Sequence, residues 1–317
     1  FAIFLDQGPL RDSSRDSVYQ YAMEEIRLFK EYVAKHSDEA AIAYSPKDLR
    51  KLKKQGKKSI VVFALENGYG VGLDLAKVDS FYNAGCRYIT LCHNYTNDIC
   101  DASRYHNPNG HGGLSEFGKQ VVRRMNELGM LVDVSHISDA AFYDVLEFST
   151  KPVVATHSCC RALADHPRNM TDDMIRALAA NGGVIQINFY PVFLDSKFAK
   201  YLNGSELMNR GELIETEYIR DPFNLERRQA WNEVLRQLNQ MERPSYKLIA
   251  DHIGHVVSLV GVDHVGVGSD YDGIAVTPSG MEDISMMPKL FDELRARGYS
   301  ESDLEKIASG NFFRVLG

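Results

Sequence analysis

The chain has 317 residues, 44% of them hydrophobic and 25% charged, with 24 Gly and 10 Pro; disorder, collagen and coiled coil are excluded for such a composition. A formal charge of −7 disfavours nucleic acid or an anionic membrane surface as a partner, and no apolar run approaches the roughly 18 residues of a membrane span. Five cysteines (Cys86, Cys92, Cys100, Cys159, Cys160) form no C-x-x-C pair, unlike a disulfide framework or a structural zinc site, which tilts the reading toward a reducing, cytoplasmic compartment.

In chain order, Phe1 to Leu5 predicts a strand, Tyr19 to Tyr32 a helix, Ile60 to Leu65 a strand, Leu73 to Asn83 a helix and Arg87 to Leu91 a strand. Glu116 to Leu128 predicts a helix, Leu131 to Val134 a strand, Asp139 to Leu146 a helix and Val153 to Thr156 a strand. Asp172 to Ala180 predicts a helix, and Val184 to Phe189 and Val265 to Gly268 predict the last strands. The strand runs are almost continuously apolar, as in strands buried on both faces, and their alternation with helices is that of βαβ units and a parallel sheet. An open doubly wound sheet and a closed (β/α)8 barrel both fit alternation. Seven such runs, in a chain that opens at Phe1 without an initiator Met, favour a TIM-type barrel whose first strand lies before Phe1. The interval from Tyr190 to Asp263 is too long for a structureless loop. Stripes of Trp231, Val234, Leu235 and Leu238, and of Ile249, Ile253, Val256, Val257 and Val260, predict helices within it. With no linker or repeat, residues 1–317 read as one barrel domain carrying a helical excursion at about 190–263.

Catalytic groups of such barrels sit at the C-terminal ends of the strands. There the sequence places Glu66, His93, His136, His157 and Asp270, each within two residues of the end of a different apolar run. One His or carboxylate at a strand end is more often a hydrogen-bonded structural residue or a helix N-cap; five on one rim are not explained that way. Neutral imidazoles and carboxylates are ligands for a catalytic zinc that keeps an open position, and a Glu among His ligands can bridge two metals.

The segments Ala64-Leu-Glu66-Asn-Gly68, Leu91-Cys-His93-Asn94, Asp133-Val-Ser-His136-Ile-Ser138, Ala155-Thr-His157-Ser158, His166-Pro-Arg168-Asn169, Gly268-Ser-Asp270-Tyr-Asp-Gly273 and Gly310-Asn311-Phe-Phe-Arg314-Val315 together resemble, in order and over nearly the whole chain, the membrane dipeptidase (renal dipeptidase) family. The resemblance implies a metallo-dependent hydrolase barrel of the amidohydrolase group, with two zinc ions and dipeptide substrates hydrolysed by a metal-activated hydroxide. It implies Glu66 as the carboxylate bridging the metals and His136 with His157 as ligands of the second metal. Asp270 resembles the proton-transfer group and His93 the substrate-contacting, catalytic His. Arg168, with Asn169, matches the Arg that holds the substrate carboxylate, and Tyr190 is a further substrate-pocket residue. A homodimer is also implied. The family's first strand ends in a His-x-Asp pair, and no such motif precedes Glu66 here, the first acidic residue being Asp6 and the first His being His36. With Phe1 to Leu5 read as the family's second strand, that pair belongs upstream of Phe1.

Other signals carry less. Gly68-Tyr-Gly70-Val-Gly72 has the wrong spacing for a dinucleotide loop and predicts a tight turn. The seven basic residues from Lys47 to Lys58 predict a solvated helix face. His252 and His255 predict hydrogen-bonding roles on an outer helix, and Cys159 and Cys160 predict packed residues. Arg168 has an alternative role as an ion-pair partner of Asp172 or Asp173 at the helix that follows. The competing functions are another amidohydrolase-type hydrolase, most of which carry a carboxylated Lys where Glu66 stands, and a non-catalytic binding protein on the same scaffold.

Overall fold

The structure is a computed structural model that describes residues 1–10, 13–105, 107–221 and 223–317. Nine strands are present among them: β1 (Ala2–Phe4), β2 (Ala40–Ile42), β3 (Ser59–Val61), β4 (Phe63–Glu66), β5 (Cys86–Thr90), β6 (Leu131–Asp133), β7 (Val154–Ser158), β8 (Val184–Ile187) and β9 (Val265–Val267). The chain divides into two compact units, the first made of Phe1–Ala155, Arg176–Val184 and Gly310–Gly317, the second of Thr156–Ile175 and Ile185–Ser309.

In the first unit β1, β4, β5, β6 and the start of β7 pair in that order, all parallel. Four intervening helices begin at Ser14, Ser45, Ser115 and Ser138, whose hydroxyls accept from the backbone N–H three residues on, satisfying a donor the helix cannot. Gly85 and Gly129 end two helices in the left-handed conformation that costs glycine nothing. Ala43, Leu49, Leu131, Val154, Val184, Val315 and Leu316 form one buried cluster of this unit.

The second unit pairs β8 with β9 in parallel, Ile185 facing Val265 and Ile187 facing Val267. Gly268, just past β9, lies so close to Thr156 that a Cβ would meet its carbonyl oxygen at 2.0 Å, so no other residue fits there. The long interval is filled by helices Pro191–Leu194, Ser196–Asn203, Glu206–Arg220, Leu225–Gln240 and Lys247–Val260. Val192, Phe198, Leu202, Val234 and Leu238 are buried together, and Ile249, Ile253 and Val256 are buried on the last of these helices. Among the described residues no helix is long and apolar enough to cross a membrane.

Three sequence expectations change in the first unit. The run Ile60 to Leu65 is two strands: β3 pairs with β2 in a separate two-stranded sheet, and β4 pairs with β1 and β5, the change of partner falling at Val62. The helix expected from Leu73 begins at Ala76, because Gly72 takes a left-handed turn (φ 58°) and Leu73 is 74% exposed. The first long helix runs over Arg15–Lys35, wider at both ends than its apolar stripe. The basic stretch is helix Pro46–Lys54 with only Leu49 buried, and Gly68–Val71 is a short 3-10 turn, both as expected.

Candidate metal centre and proton-transfer site

In the first unit, Glu66 is the last residue of β4, and His93 and His136 stand three residues beyond β5 and β6. His136 Nε2 lies 3.5 Å from Glu66 Oε1, with side chains 8% and 16% exposed. Two ligands bound at about 2.0–2.1 Å to one tetrahedral ion are separated by about 3.3 Å, so this pair fits a shared metal in both spacing and donor chemistry. The His93 ring packs on the His136 ring at 4.3 Å between centroids and on Phe4 at 4.8 Å.

Backbone strain and buried polar groups hold this arrangement. His136 has φ 73°, a conformation that costs a residue with a Cβ about 1–3 kcal/mol and concentrates at functional sites. Its turn is fixed by the buried Asp133 carboxylate, which accepts from the Ser135 N–H (3.0 Å) and the Thr90 hydroxyl (2.6 Å), and by Ser103 N–H donating to the His136 carbonyl at 2.8 Å. Next to Glu66, Asn67 has φ 76°, which Asn tolerates better than most residues. Its Nδ2 donates to the Leu5 carbonyl, and its Oδ1 accepts from Asn97 Nδ2, which also donates to the Leu91 carbonyl. Two buried amides thus tie together the ends of β1, β4 and β5. The sequence alone gives Asn67 and Asn97 no role; Asp133 stands out as one polar residue in an otherwise apolar run.

In the second unit, His157 lies within β7 and not after it, and its Nδ1 is 2.8 Å from the Thr156 hydroxyl. A partner on one ring nitrogen fixes the ring orientation and presents Nε2 as the ligand atom. Arg168 is buried; one terminal nitrogen donates to the His157 carbonyl at 3.0 Å, and its guanidinium lies over the Phe193 ring. Asn169 Nδ2 donates to the Ala164 and Phe193 carbonyls, bracing the turn that carries Arg168. Tyr190 sits three residues beyond β8 and packs edge-on against Phe193. Asp270, three residues beyond β9 at φ 60°, accepts a hydrogen bond from Asn188 Nδ2 at 2.9 Å.

The secondary signals resolve as hydrogen-bonding and packing. Asp172 pairs with His255 at 2.8 Å. Cys159 and Cys160 are fully buried, and burial pushes both thiols well above their ordinary range, so neither is a poised nucleophile. His252 accepts from the Cys160 N–H at Nδ1 and lies 3.2 Å from the Leu194 carbonyl at Nε2, the pattern of a neutral ring. Burial lowers its pKa from 6.5 to about 4. Between those values the unfolded chain binds a proton the native state refuses, so this stabilisation is complete above pH 6.5 and is lost as pH falls toward 4. The stability difference between the protein and its His252→Asn variant is expected to shrink by about 3 kcal/mol from pH 7 to pH 4. Urea unfolding at the two pH values measures it, and a constant difference contradicts it.

Comparison with known proteins shows the family of the chain. The profile of the membrane dipeptidase family (Peptidase family M19) matches residues 1–317. Dipeptidase verJ of Clonostachys rogersoniana is 30% identical over 294 residues, covering 93% of this chain and 64% of that protein. Dipeptidase tcpJ of Claviceps purpurea is 31% identical over 305 residues, covering 95% and 61%. The chain therefore spans less than two thirds of the length of these curated relatives. The crystal structure of the probable dipeptidase PvdM from Pseudomonas aeruginosa superposes with a TM-score of 0.80 at 32% identity, covering 96% of this chain and 80% of that one. The expected fold class, the α/β barrel type of the metallo-dependent hydrolases, is borne out by the parallel strand order together with this likeness. By the match along its whole length and by the likeness to PvdM, the chain belongs to the membrane dipeptidase family, peptidase family M19.

Proposed function

We propose that this chain forms the catalytic part of a zinc-dependent dipeptidase. The observation that carries the reading is the ligand-spaced pair of Glu66 and His136 at the ends of β4 and β6, in a member of a dipeptidase family. Glu66 and His136 would hold the metal, with His157 as the further ligand that the family resemblance implies. Two imidazoles and one carboxylate are a donor set that suits zinc and leaves an open position. A second ion, expected from the resemblance, would share Glu66 and draw its other ligands from outside this set. When bound, the metal supplies Lewis acidity toward the scissile carbonyl and toward water, whose pKa falls from 15.7 to about 7 in such sites.

The remaining chemistry belongs to side chains. Asp270 takes the proton from the attacking water and returns it to the departing amine, one carboxylate serving as base and then as acid. His93 donates to the oxyanion that develops on the carbonyl, a contact worth roughly 3 kcal/mol where the donor is preorganised; packing against Phe4 and His136 supplies that preorganisation. Arg168 makes a charge-assisted contact with the free terminal carboxylate, which an internal peptide bond lacks. Asn169 keeps the Arg168 turn in place, and Tyr190 with Phe193 lines the substrate side. A carboxylated Lys as bridging ligand would favour a lactone or phosphotriester substrate, and Glu66 occupies that place. Assembly as a homodimer completes the proposal.

The test is substrate discrimination by the full-length protein. Arg168→Met is expected to lower kcat/KM for free dipeptides by about 10- to 100-fold, the worth of a hydrogen bond to a charged group, and to leave C-terminally amidated dipeptides within about threefold. Equal losses on both substrates would assign Arg168 to the fold, and no dipeptide turnover by the parent protein would remove the reading itself.

A further inference from the structure

Asn188, the residue after β8, is fully buried and engaged at every polar group. Its N–H donates to the Ser158 carbonyl at 3.1 Å, and its carbonyl accepts from the Cys159 thiol at 3.3 Å. Its side-chain Oδ1 accepts from the Tyr190 N–H at 2.6 Å, and its Nδ2 donates to Asp270 Oδ2 at 2.9 Å. The orientation of the amide follows from chemistry: the Tyr190 N–H can only donate, so the atom facing it is oxygen, and the NH2 group must face the carboxylate.

Asp270 is held from the other side by the backbone. It sits at φ 60°, and Gly273 N–H donates to its carbonyl at 3.0 Å. A Cβ on Gly273 would lie 2.3 Å from Asp270 Oδ1, so a side chain there would occupy the space of that oxygen. Asn188 thus holds Oδ2, and the absence of a side chain at Gly273 leaves room for Oδ1. The strands beneath are locked in register by Ile187 facing Val267 and by Gly268 N–H donating to the Ile187 carbonyl at 3.0 Å.

We propose that Asn188 is a positioning residue for Asp270, fixing the rotation of its carboxylate for proton transfer. The proposal rests on the reading of Asp270 as the proton-transfer group. Asn188 itself gains and loses no proton. It donates to Oδ2 throughout, while the Asp270 carboxylate accepts a proton from the attacking water and passes it to the amide nitrogen as the C–N bond breaks.

The experiment is a double-mutant cycle in the full-length, metal-loaded protein, using Asn188→Asp, Asn188→Ala, Asp270→Asn and the two doubles. Dipeptide kcat and KM, metal content and thermal midpoint are read for each. Asn188→Asp keeps size and the acceptor for Tyr190 but sets a second carboxylate against Asp270, so the two share a proton and the neutral donor is lost, while Asn188→Ala removes the donor without adding charge. Asn188→Asp is expected to lower kcat by about 10- to 100-fold, the range for partners that orient a reacting group, with KM within about threefold and metal content unchanged. In the Asp270→Asn background neither Asn188 substitution is expected to lower kcat further, because residues acting as a unit are not additive. Losses that multiply in the doubles, unchanged kcat in the single variants, or failure of both single variants to fold with metal bound would each overturn the assignment and make Asn188 structural. If Asp270→Asn alone retains turnover, the fault lies with the reading of Asp270; if it loses turnover while the Asn188 variants do not, only the positioning role falls.

Discussion

Replacing Asp270 with Asn is expected to lower dipeptide turnover by about 100- to 10,000-fold, the range for a positioned acid-base group, while leaving the bound metal in place. The side chains are nearly isosteric, and the turn at φ 60° is one that Asn accepts as readily as Asp. The amide also keeps an oxygen for the hydrogen bond from Asn188 Nδ2, so the fold has no reason to change. What disappears is the capacity to take a proton and give it back. Steady-state kinetics with elemental analysis on the same preparation separates the two effects. Normal turnover in the variant, or metal lost together with turnover, contradicts the role.

Replacing Glu66 with Gln is expected to weaken metal binding by more than about 100-fold, since even partners that only orient ligands cost 10- to 100-fold. Turnover falls with it. The substitution keeps the volume of a side chain at the end of β4 and removes its charge, leaving a neutral amide 3.5 Å from His136 where a carboxylate stood. Isothermal titration with zinc measures the affinity directly. Wild-type affinity in the variant would mean that Glu66 is a hydrogen-bonding residue of the rim and that the ligand-like spacing has another cause.

The places where chemistry is expected were legible in the sequence because buried parallel strands are almost wholly apolar. A Glu, His or Asp at the end of such a run therefore stands out, and Glu66, His93, His136 and Asp270 lie in the structure at or within three residues of the strand ends the sequence indicated. Less legible were features that depend on a partner and not on a pattern. Nothing in Ile60 to Leu65 marks Val62 as the point where pairing passes from β2 to β1 and β5, since both halves are apolar. His157 read as following its strand, and it lies within it, because Ser158 hydrogen-bonds onward to Asn188. The left-handed backbone at His136 and Asp270 has no sequence signal, as neither residue type favours φ above zero as glycine does. Of the supporting amides only Asn188 stands in apolar company, and the roles of all three depend on distances: Asn188 to Asp270, and Asn97 to Asn67 and Leu91.

The proposed dipeptidase activity depends on a metal held at the pair of Glu66 and His136. Metal content set against dipeptide turnover tests it most directly, in the full-length protein as purified, after exhaustive chelation and after zinc is restored. The account predicts turnover that rises in proportion to bound zinc, vanishes with the chelator and returns on readdition. Undiminished turnover by metal-free protein, or zinc bound at full occupancy without any dipeptide hydrolysis, would contradict it.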